Sequence, residues 1–471
     1  MIVVISDLHF EEEASDAIPG QDGKPGLMFR RNLDAKSYRA FFARMAEQVE
    51  RRRIRDFNLI LAGDLFDFNR TVLWFESDVR PYVPLNQVND PLEEKVLSLI
   101  EAIAAEPPVA DSLHYISRLA RGRYLADDDR ERDFPAERIS IQYLSGNHDR
   151  LANATPRIRR RIRELLGLDG DAQFAHVTTF PDPAVLIRHG QEYDRNNFCG
   201  DLGQHFGVRQ SIPLELPEDF YSGASFGDFI TIDVAVRLPY LLRREYGDAE
   251  ILRDRVLAAL YLRLLQFDDV RPQSALLDYL LDTSGGQFSA EDAWERLVPV
   301  LQKLLSEIHD NRFLRYWLAR RAKPWAPAEL EAARALLKIG PWRNRLSREV
   351  SRRLGHFFLG GDDDRPELFA MREQVITSGE MKLVIAGHTH VPAVELIASD
   401  EKADRFYINS GTWRNRIPAT PDRRTFGRID ALTYVMLLSA EEDPEGEYGT
   451  FDYWTGYTRH WSETGGERKP R

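Results

Sequence analysis

The chain predicts a layered α/β fold interrupted by one large helical insertion, and three observations predict it. Short β-rich apolar runs alternate with segments of helical periodicity, the pattern of strands covered on both faces. Five of these runs end in polar clusters of Asp, His and Asn. Between about Arg195 and Glu373 the alternation stops and helical periodicity continues alone.

Ile2–Ile5 (IVVI) reads as a buried strand. No basic segment precedes it and Asp7 cuts its apolar run, so it does not read as a signal peptide. Lys36–Arg52 is helical by period, Phe57–Ala62 (FNLILA) a strand, Leu92–Ala105 a helix and Ile139–Leu144 (ISIQYL) a strand. Thr155-Pro156 opens a helix through Arg157–Leu165, with Ile158, Ile162 and Leu165 on one stripe. Val185–Arg188 (VLIR) is the next strand. The predicted insertion helices are Val234–Tyr246, Glu250–Leu265, Pro272–Leu281, Ala290–Leu305, Pro327–Lys338 and Arg343–Leu354. Strands resume with Leu383–Ala386 (LVIA), Phe406–Asn409 (FYIN) and Leu432–Leu438 (LTYVMLL). The α/β core thus spans 1–195 and 376–440, around an insertion at 196–375. Residues 441–471 form a polar, aromatic extension whose Trp and Tyr side chains pack back on the body.

The 471 residues are 43% hydrophobic and 29% charged, which argues against a disordered chain or a disulfide scaffold. The only cysteine, Cys199, allows no intrachain disulfide and fits a reducing, cytoplasmic setting. It reads as a small semi-buried residue. No run approaches the ~20 apolar residues of a membrane span. A net charge of -12 disfavours a general polyanion binder. The exception is Arg312–Arg353, with 12 Lys/Arg against three Glu and with Trp317, Trp325 and Trp342 interleaved. That stretch reads as an amphipathic cap first and as a nucleic-acid groove second.

The polar clusters carry the chemistry. Asp7-Leu8-His9, Gly63-Asp64-Leu65-Phe66-Asp67, Gly146-Asn147-His148-Asp149, His189-Gly190 and Gly387-His388-Thr389-His390 each follow a strand. Ligands of open α/β sheets gather at the carboxyl ends of strands, so the five clusters share one crevice. The Asp-x-His and His-x-His spacings put both side chains on one side of an extended segment. Asp and His with no Cys suit Mn, Fe, Zn or similar divalent ions. Seven candidate ligands (Asp7, His9, Asp64, Asn147, His189, His388, His390) exceed one tetrahedral site and favour two ions that share a carboxylate. Such a centre keeps a small net positive charge and attracts a phosphoryl group.

The ordered set SDLH, GDLFD, GNHD, HG and GHTH, followed by Asn409-Ser410-Gly411-Thr412-Trp413, resembles the calcineurin-like metallophosphoesterases. The resemblance covers roughly residues 1–195 and 380–440. It implies a four-layer αββα sandwich and two divalent ions, Mn²⁺ first, with Fe, Zn, Co or Ni as alternatives. Asp7, His9 and His390 would hold one ion, Asn147, His189 and His388 the other, and Asp64 would bridge. The implied reaction is hydrolysis of a phosphate ester, phosphodiester favoured, by a bridging hydroxide. His148 would act on the leaving group, oriented by Asp149, while Asp67 would hold loop or ligand geometry.

A lone His at a strand end is usually structural, and for His189 alone that reading would stand; the other four clusters overturn it. His114, His176, His205, His309, His356 and His460 have no partner motif and take no role. The arginines of Arg157–Leu165 read as a solvated helix face. The favoured substrate is a small phosphorylated molecule enclosed by the insertion as a helical cap. SDLH, GDLFD and HGQEYD are also similar to the UDP-2,3-diacylglucosamine pyrophosphohydrolases, but His148 stands where that group usually carries Arg. A nuclease of the double-strand-break-repair type and a non-catalytic scaffold are the other readings.

Overall fold

The computed structural model describes residues 1–458 except 22, 208, 272–274, 282–287, 310, 321–364, 423–424 and 444–448. In chain order the strands are β1 (Ile2–Ile5), β2 (Asp56–Ala62), β3 (Arg123–Leu125), β4 (Glu131–Asp133), β5 (Arg138–Leu144), β6 (Val177–Phe180) and β7 (Val185–Arg188). After these come β8 (Val270–Arg271), β9 (Leu383–Ala386), β10 (Ala393–Ser399), β11 (Asp404–Asn409), β12 (Asn415–Pro418), β13 (Ile429–Leu438) and β14 (Thr450–Thr458). One sheet runs β5-β2-β1-β13-β12-β8, with β14 also paired to β13. A second runs β10-β11-β9-β7-β6, while β3 and β4 pair by themselves. The site-bearing strands are parallel within each sheet: β1, β2 and β5 in the first, β7 and β9 in the second.

Alternation along each strand sends neighbouring side chains to opposite faces. Ile2, Val4, Ile60 and Leu144 of the first sheet meet Val185, Ile187, Leu383 and Ile385 of the second in one apolar cluster. Val3, Ile5, Leu59 and Leu61 point the other way, onto the helices α1 (Ala35–Arg52), α2 (Asp90–Ala105), α3 (Pro107–Ala120) and α4 (Pro156–Leu165). Each such side chain contributes roughly 1.5–3 kcal/mol by leaving water. The outer face of the second sheet, Leu186, Val384 and Tyr407, is covered by Phe198, Ile212, Val375 and Ile376. Strands buried on both faces explain the uninterrupted apolar runs.

Helix ends follow local chemistry. Asp34 caps α1 by accepting from the Lys36 amide at 2.9 Å, and Asn89 caps α2 by accepting from that of Leu92 at 3.2 Å. Helix α3 has no counterpart in the sequence reading: Pro107-Pro108 looks like a break, yet the pair occupies the first turn, where no amide is needed.

The insertion is helical, with adjusted ends. A π-helical turn at Thr231–Val236 runs into Arg237–Tyr246. The helix predicted over Glu250–Leu265 is two, because Asp254 ends Asp248–Arg253 and caps Arg255–Leu265. Pro272–Leu281 shrinks to Leu276–Leu280, and Ala290–Leu305 extends to His309. These helices build their own core around Phe229, Leu241, Leu260, Leu297 and Leu304, which reaches Ile18, Phe29 and Ile417. The helices expected at Pro327–Lys338 and Arg343–Leu354 lie outside the described residues, as does most of Arg312–Arg353. Its start, Arg312–Arg320, is helical and buries Leu314, Trp317 and Leu318.

The described part of the extension from 441 packs on the body as expected, in the form of β14 added to the first sheet beside β13, with Trp454 stacked on Tyr434 at 5.2 Å; residues 459–471 lie outside the described residues. Among the described residues no helix is long and apolar enough to cross a membrane.

Candidate metal centre

The five clusters leave the carboxyl ends of β1, β2, β5, β7 and β9 and meet. Asp7, His9, Asp64, His388 and His390 all have positive φ, at 54°, 44°, 50°, 71° and 59°. These residues are not extended, as the Asp-x-His and His-x-His spacings predict, but left-handed, and His388 and His390 diverge, one toward Asn147 and the other toward Asp7. Left-handed backbone costs a non-glycine residue about 1–2 kcal/mol, and such strain concentrates at working sites. Two motif glycines permit the close approach. A Cβ on Gly146 would collide with Asp64 Oδ1, and one on Gly387 with Asp7 Oδ2.

Buried His and Asp side chains here could hold a metal ion. His390 Nε2 lies 2.9 Å from His9 Nε2 and 3.2 Å from Asp7 Oδ1. His189 Nε2 lies 3.2 Å from Asn147 Oδ1, and His388 Nδ1 lies 2.9 Å from the same oxygen. Between the groups stands Asp64, with Oδ2 3.6 Å from His9 Nε2 and 3.1 Å from His189 Nε2. With metal–ligand bonds of ~2.1 Å, donors of one ion sit about 3.0–3.4 Å apart, close to these spacings.

The ring nitrogens pointing away from the groups have partners too. His9 Nδ1 is 2.9 Å from Asp67 Oδ2, His189 Nδ1 2.8 Å from the Ala62 carbonyl, and His388 Nε2 3.1 Å from Asp194 Oδ2. Each acceptor takes the ring proton and leaves the other nitrogen's lone pair facing inward, the tautomer a metal needs. Asp194 lies in the HGQEYD run, and only its contact with His388 distinguishes it.

His148 is half-buried at the edge of the group, and the orientation predicted for it is corrected. Its Nδ1 lies 2.9 Å from Asp67 Oδ1, not on Asp149. Asp149 is fully buried beneath the loops, accepting from the amides of Gly146 (2.6 Å) and Leu65 (2.7 Å) and from the Tyr143 hydroxyl. It ties the second and third clusters together, and its side chain follows directly on a turn that aims it inward.

No protein-family model matches the chain, and no curated protein matches its sequence.

Burial pushes the Asp7 carboxyl up, but the His189 charge and hydrogen bonds from His390 and His9 reverse this and hold it well below the usual range. Asp64 and Asp67 are likewise held low against burial, chiefly by His189 and His148 respectively. Burial opposes charge on His189, yet Asp64 and Asp7 raise it to about 10. Without a metal the Asp7, Asp64 and Asp67 carboxylates thus stay ionised against a protonated His189, and a bound cation would take the place of that proton. Burial and the neighbouring Asp64 charge push Asp149 up to about 6, in keeping with its structural place.

The insertion reaches this site. Asn69 donates to Asp228 at 2.8 Å, Arg150 donates to the Ser222 carbonyl at 2.8 Å, and Asn147 and Cys199 line one small cavity. Arg414, 3.9 Å from Asp67, also pairs with Asp269 of the insertion at 2.8 Å. Arg271 Nη2 sits 3.1 Å from His390 Nδ1. The arginines of α4 point elsewhere: Arg157 pairs with Glu94, Arg160 with Asp171 and Arg161 with Glu101. Cys199 is half-buried, as read.

Proposed function

We propose that the protein is a metal-dependent phosphoesterase with two divalent ions, of the calcineurin-like metallophosphoesterase type. The observation that carries this reading is Asp64, whose one oxygen faces a His/Asp group on one side and a His/Asn group on the other. Two facing sheets with helices outside support the four-layer sandwich of that family.

Asp7, His9 and His390 would hold one ion, Asn147, His189 and His388 the second, and Asp64 both. Mn²⁺ suits this set best, with Fe, Zn, Co or Ni as alternatives. Two such ions would supply water acidic enough to ionise near neutral pH and a positive clamp on the phosphoryl oxygens.

The chain's own groups do the rest. Asp67 and the Ala62 carbonyl fix His9 and His189 before a ligand arrives, so little reorganisation follows. His148 delivers a proton to the departing oxygen while Asp67 keeps the ring turned, help worth ~10²–10⁴-fold in rate. The insertion walls the crevice and selects the substrate, a phosphodiester of small size in this reading.

The test is a screen of the purified chain with Mn²⁺ against a phosphomonoester, a phosphodiester, a pyrophosphate-linked nucleotide, and single- and double-stranded nucleic acids. Metal-dependent turnover of the diester is expected. Turnover of nucleic acid alone would favour the nuclease reading, and no turnover of any ester would favour a scaffold.

A further inference from the structure

Arg31, Arg70 and Arg414 are buried together where the insertion meets the core, and Arg414 reaches the carboxylate that turns both His9 and His148. Arg414 follows the Asn409–Trp413 run, and its backbone is fixed there. The Trp413 amide donates to the Asp7 carbonyl at 3.1 Å, and the Ala431 amide donates to the Arg414 carbonyl at 3.1 Å. Its guanidinium meets different carboxylates with different nitrogens. Nη2 lies 2.8 Å from Asp269 Oδ1 of the insertion and 3.5 Å from Glu11 Oε1, while Nη1 faces Asp67 Oδ2 at 3.9 Å. Arg31 engages the same Glu11 at 2.7 Å, and Arg70 the same Asp269 at 3.4 Å.

Asp67 is fully buried, and a buried carboxylate is costly unless it is paired. Its Oδ1 accepts from the amides of Arg70 at 3.1 Å and Asn69 at 3.2 Å and faces the His148 ring. Its Oδ2 faces both the His9 ring and Arg414. A ring that ligates a metal is neutral, and one that gives up a proton becomes so, whereas a guanidinium keeps its charge throughout. In a buried, low-dielectric setting a cation at this distance acts strongly on the carboxylate.

We propose that Arg414 is a positioning residue of this site: tied to Asp269 of the insertion, it holds the Asp67 carboxylate against His9 and His148 and so couples the insertion to the acid step. The inference rests on the metallophosphoesterase reading above.

Its test uses the full chain and the variants Arg414→Gln, Arg414→Lys and Asp16→Asn. Asp16 accepts from Arg31 at 2.8 Å, so Asp16→Asn loosens the same ion network without touching Arg414 or Asp67. With saturating Mn²⁺, kcat and KM are measured on an alkyl and a nitrophenyl diester. Arg414→Gln should lower kcat on the alkyl diester ~10–100-fold, the cost of a slightly misplaced group, with a far smaller loss on the nitrophenyl diester and KM unchanged. Arg414→Lys, which keeps the charge on a single nitrogen, should show the same dependence with a smaller loss, and it decides the matter where Arg414→Gln does not fold. Asp16→Asn should lower the melting temperature and spare both rates. A second readout needs no metal: NMR of the ¹⁵N-histidine chain, with the His9 and His148 ring protons assigned by His9→Asn and His148→Asn. Those signals should be sharp in the parent and broadened by exchange with water in the Arg414 variants. Equal kcat losses on the two diesters, an undiminished kcat, ring-proton signals as sharp as the parent's, or the same leaving-group dependence in Asp16→Asn each overturn the inference alone. A parent chain that hydrolyses neither diester defeats the underlying reading, and this inference with it.

Discussion

Asp67 Oδ1 stands 2.9 Å from Nδ1 of His148, and it is this carboxylate, rather than the adjacent Asp149, that turns the ring. The other oxygen of Asp67 holds His9 at the same distance, so one buried side chain orients both a candidate metal ligand and the candidate acid. An adjacent residue in a sharp loop is poorly placed to bond its neighbour's ring. One from the facing loop is well placed.

A proton donor matters in proportion to how poor the leaving group is. His148→Asn should slow hydrolysis of an alkyl diester by ~10²–10⁴-fold and of a nitrophenyl diester far less. Steady-state rates on the two substrates decide it; equal losses would point to phosphate positioning. Asp67→Asn should show the same dependence on the leaving group and in addition weaken metal binding at the group containing His9, whose ring it also holds. Asp149→Asn should instead lower the melting temperature, since a charge-assisted acceptor of two amides is weakened, at about 1–3 kcal/mol.

Asp194 faces the outer nitrogen of His388. Asp194→Asn should weaken metal affinity ~10–100-fold at the group containing His388 and leave the other intact. Titration with Mn²⁺ should then show one tight and one weak site. Two unchanged sites would remove Asp194 from this role.

The strands and the ligand motifs were legible because both are local: apolar runs mark buried strands, and each cluster follows one directly. What depends on the approach of distant chain segments was not. Asp194 gains its role only when β7 and β9 lie side by side, and Asp67, expected to hold loop or ligand geometry, gains His148 as a partner only when the second and third clusters face each other. Arg271 comes from a two-residue strand in a segment whose composition signals helix. The left-handed backbone at His9 and His390 could not be read from a spacing rule that assumes extension. Helix α3 was hidden by the proline pair that begins it.

Glu373 of the insertion packs, fully buried, against Arg188 at 3.3 Å and Tyr193 at 2.7 Å. Burial pushes its carboxyl up from 4.5 to about 7 despite the Arg188 charge. Between those values the folded chain holds a proton that the unfolded chain has lost, so this group's contribution to stability falls as pH rises through the window. Glu373→Gln removes the titration and keeps an acceptor for Tyr193. Its stability relative to the parent should therefore improve between pH 5 and pH 8, by an amount on the order of 2–3 kcal/mol. Urea unfolding at the two pH values checks the sign; a difference that stays constant with pH would contradict it.

The shared carboxylate is the centre of the account, and the metal count tests it most directly. The full chain, stripped of metal, saturated with Mn²⁺ and desalted, should retain two ions by elemental analysis. Asp64→Asn should retain at most one, because a neutral amide cannot hold two cations as a carboxylate does. A parent chain that retains one ion or none with metal in excess, or an Asp64→Asn chain that retains two, would contradict the dinuclear centre.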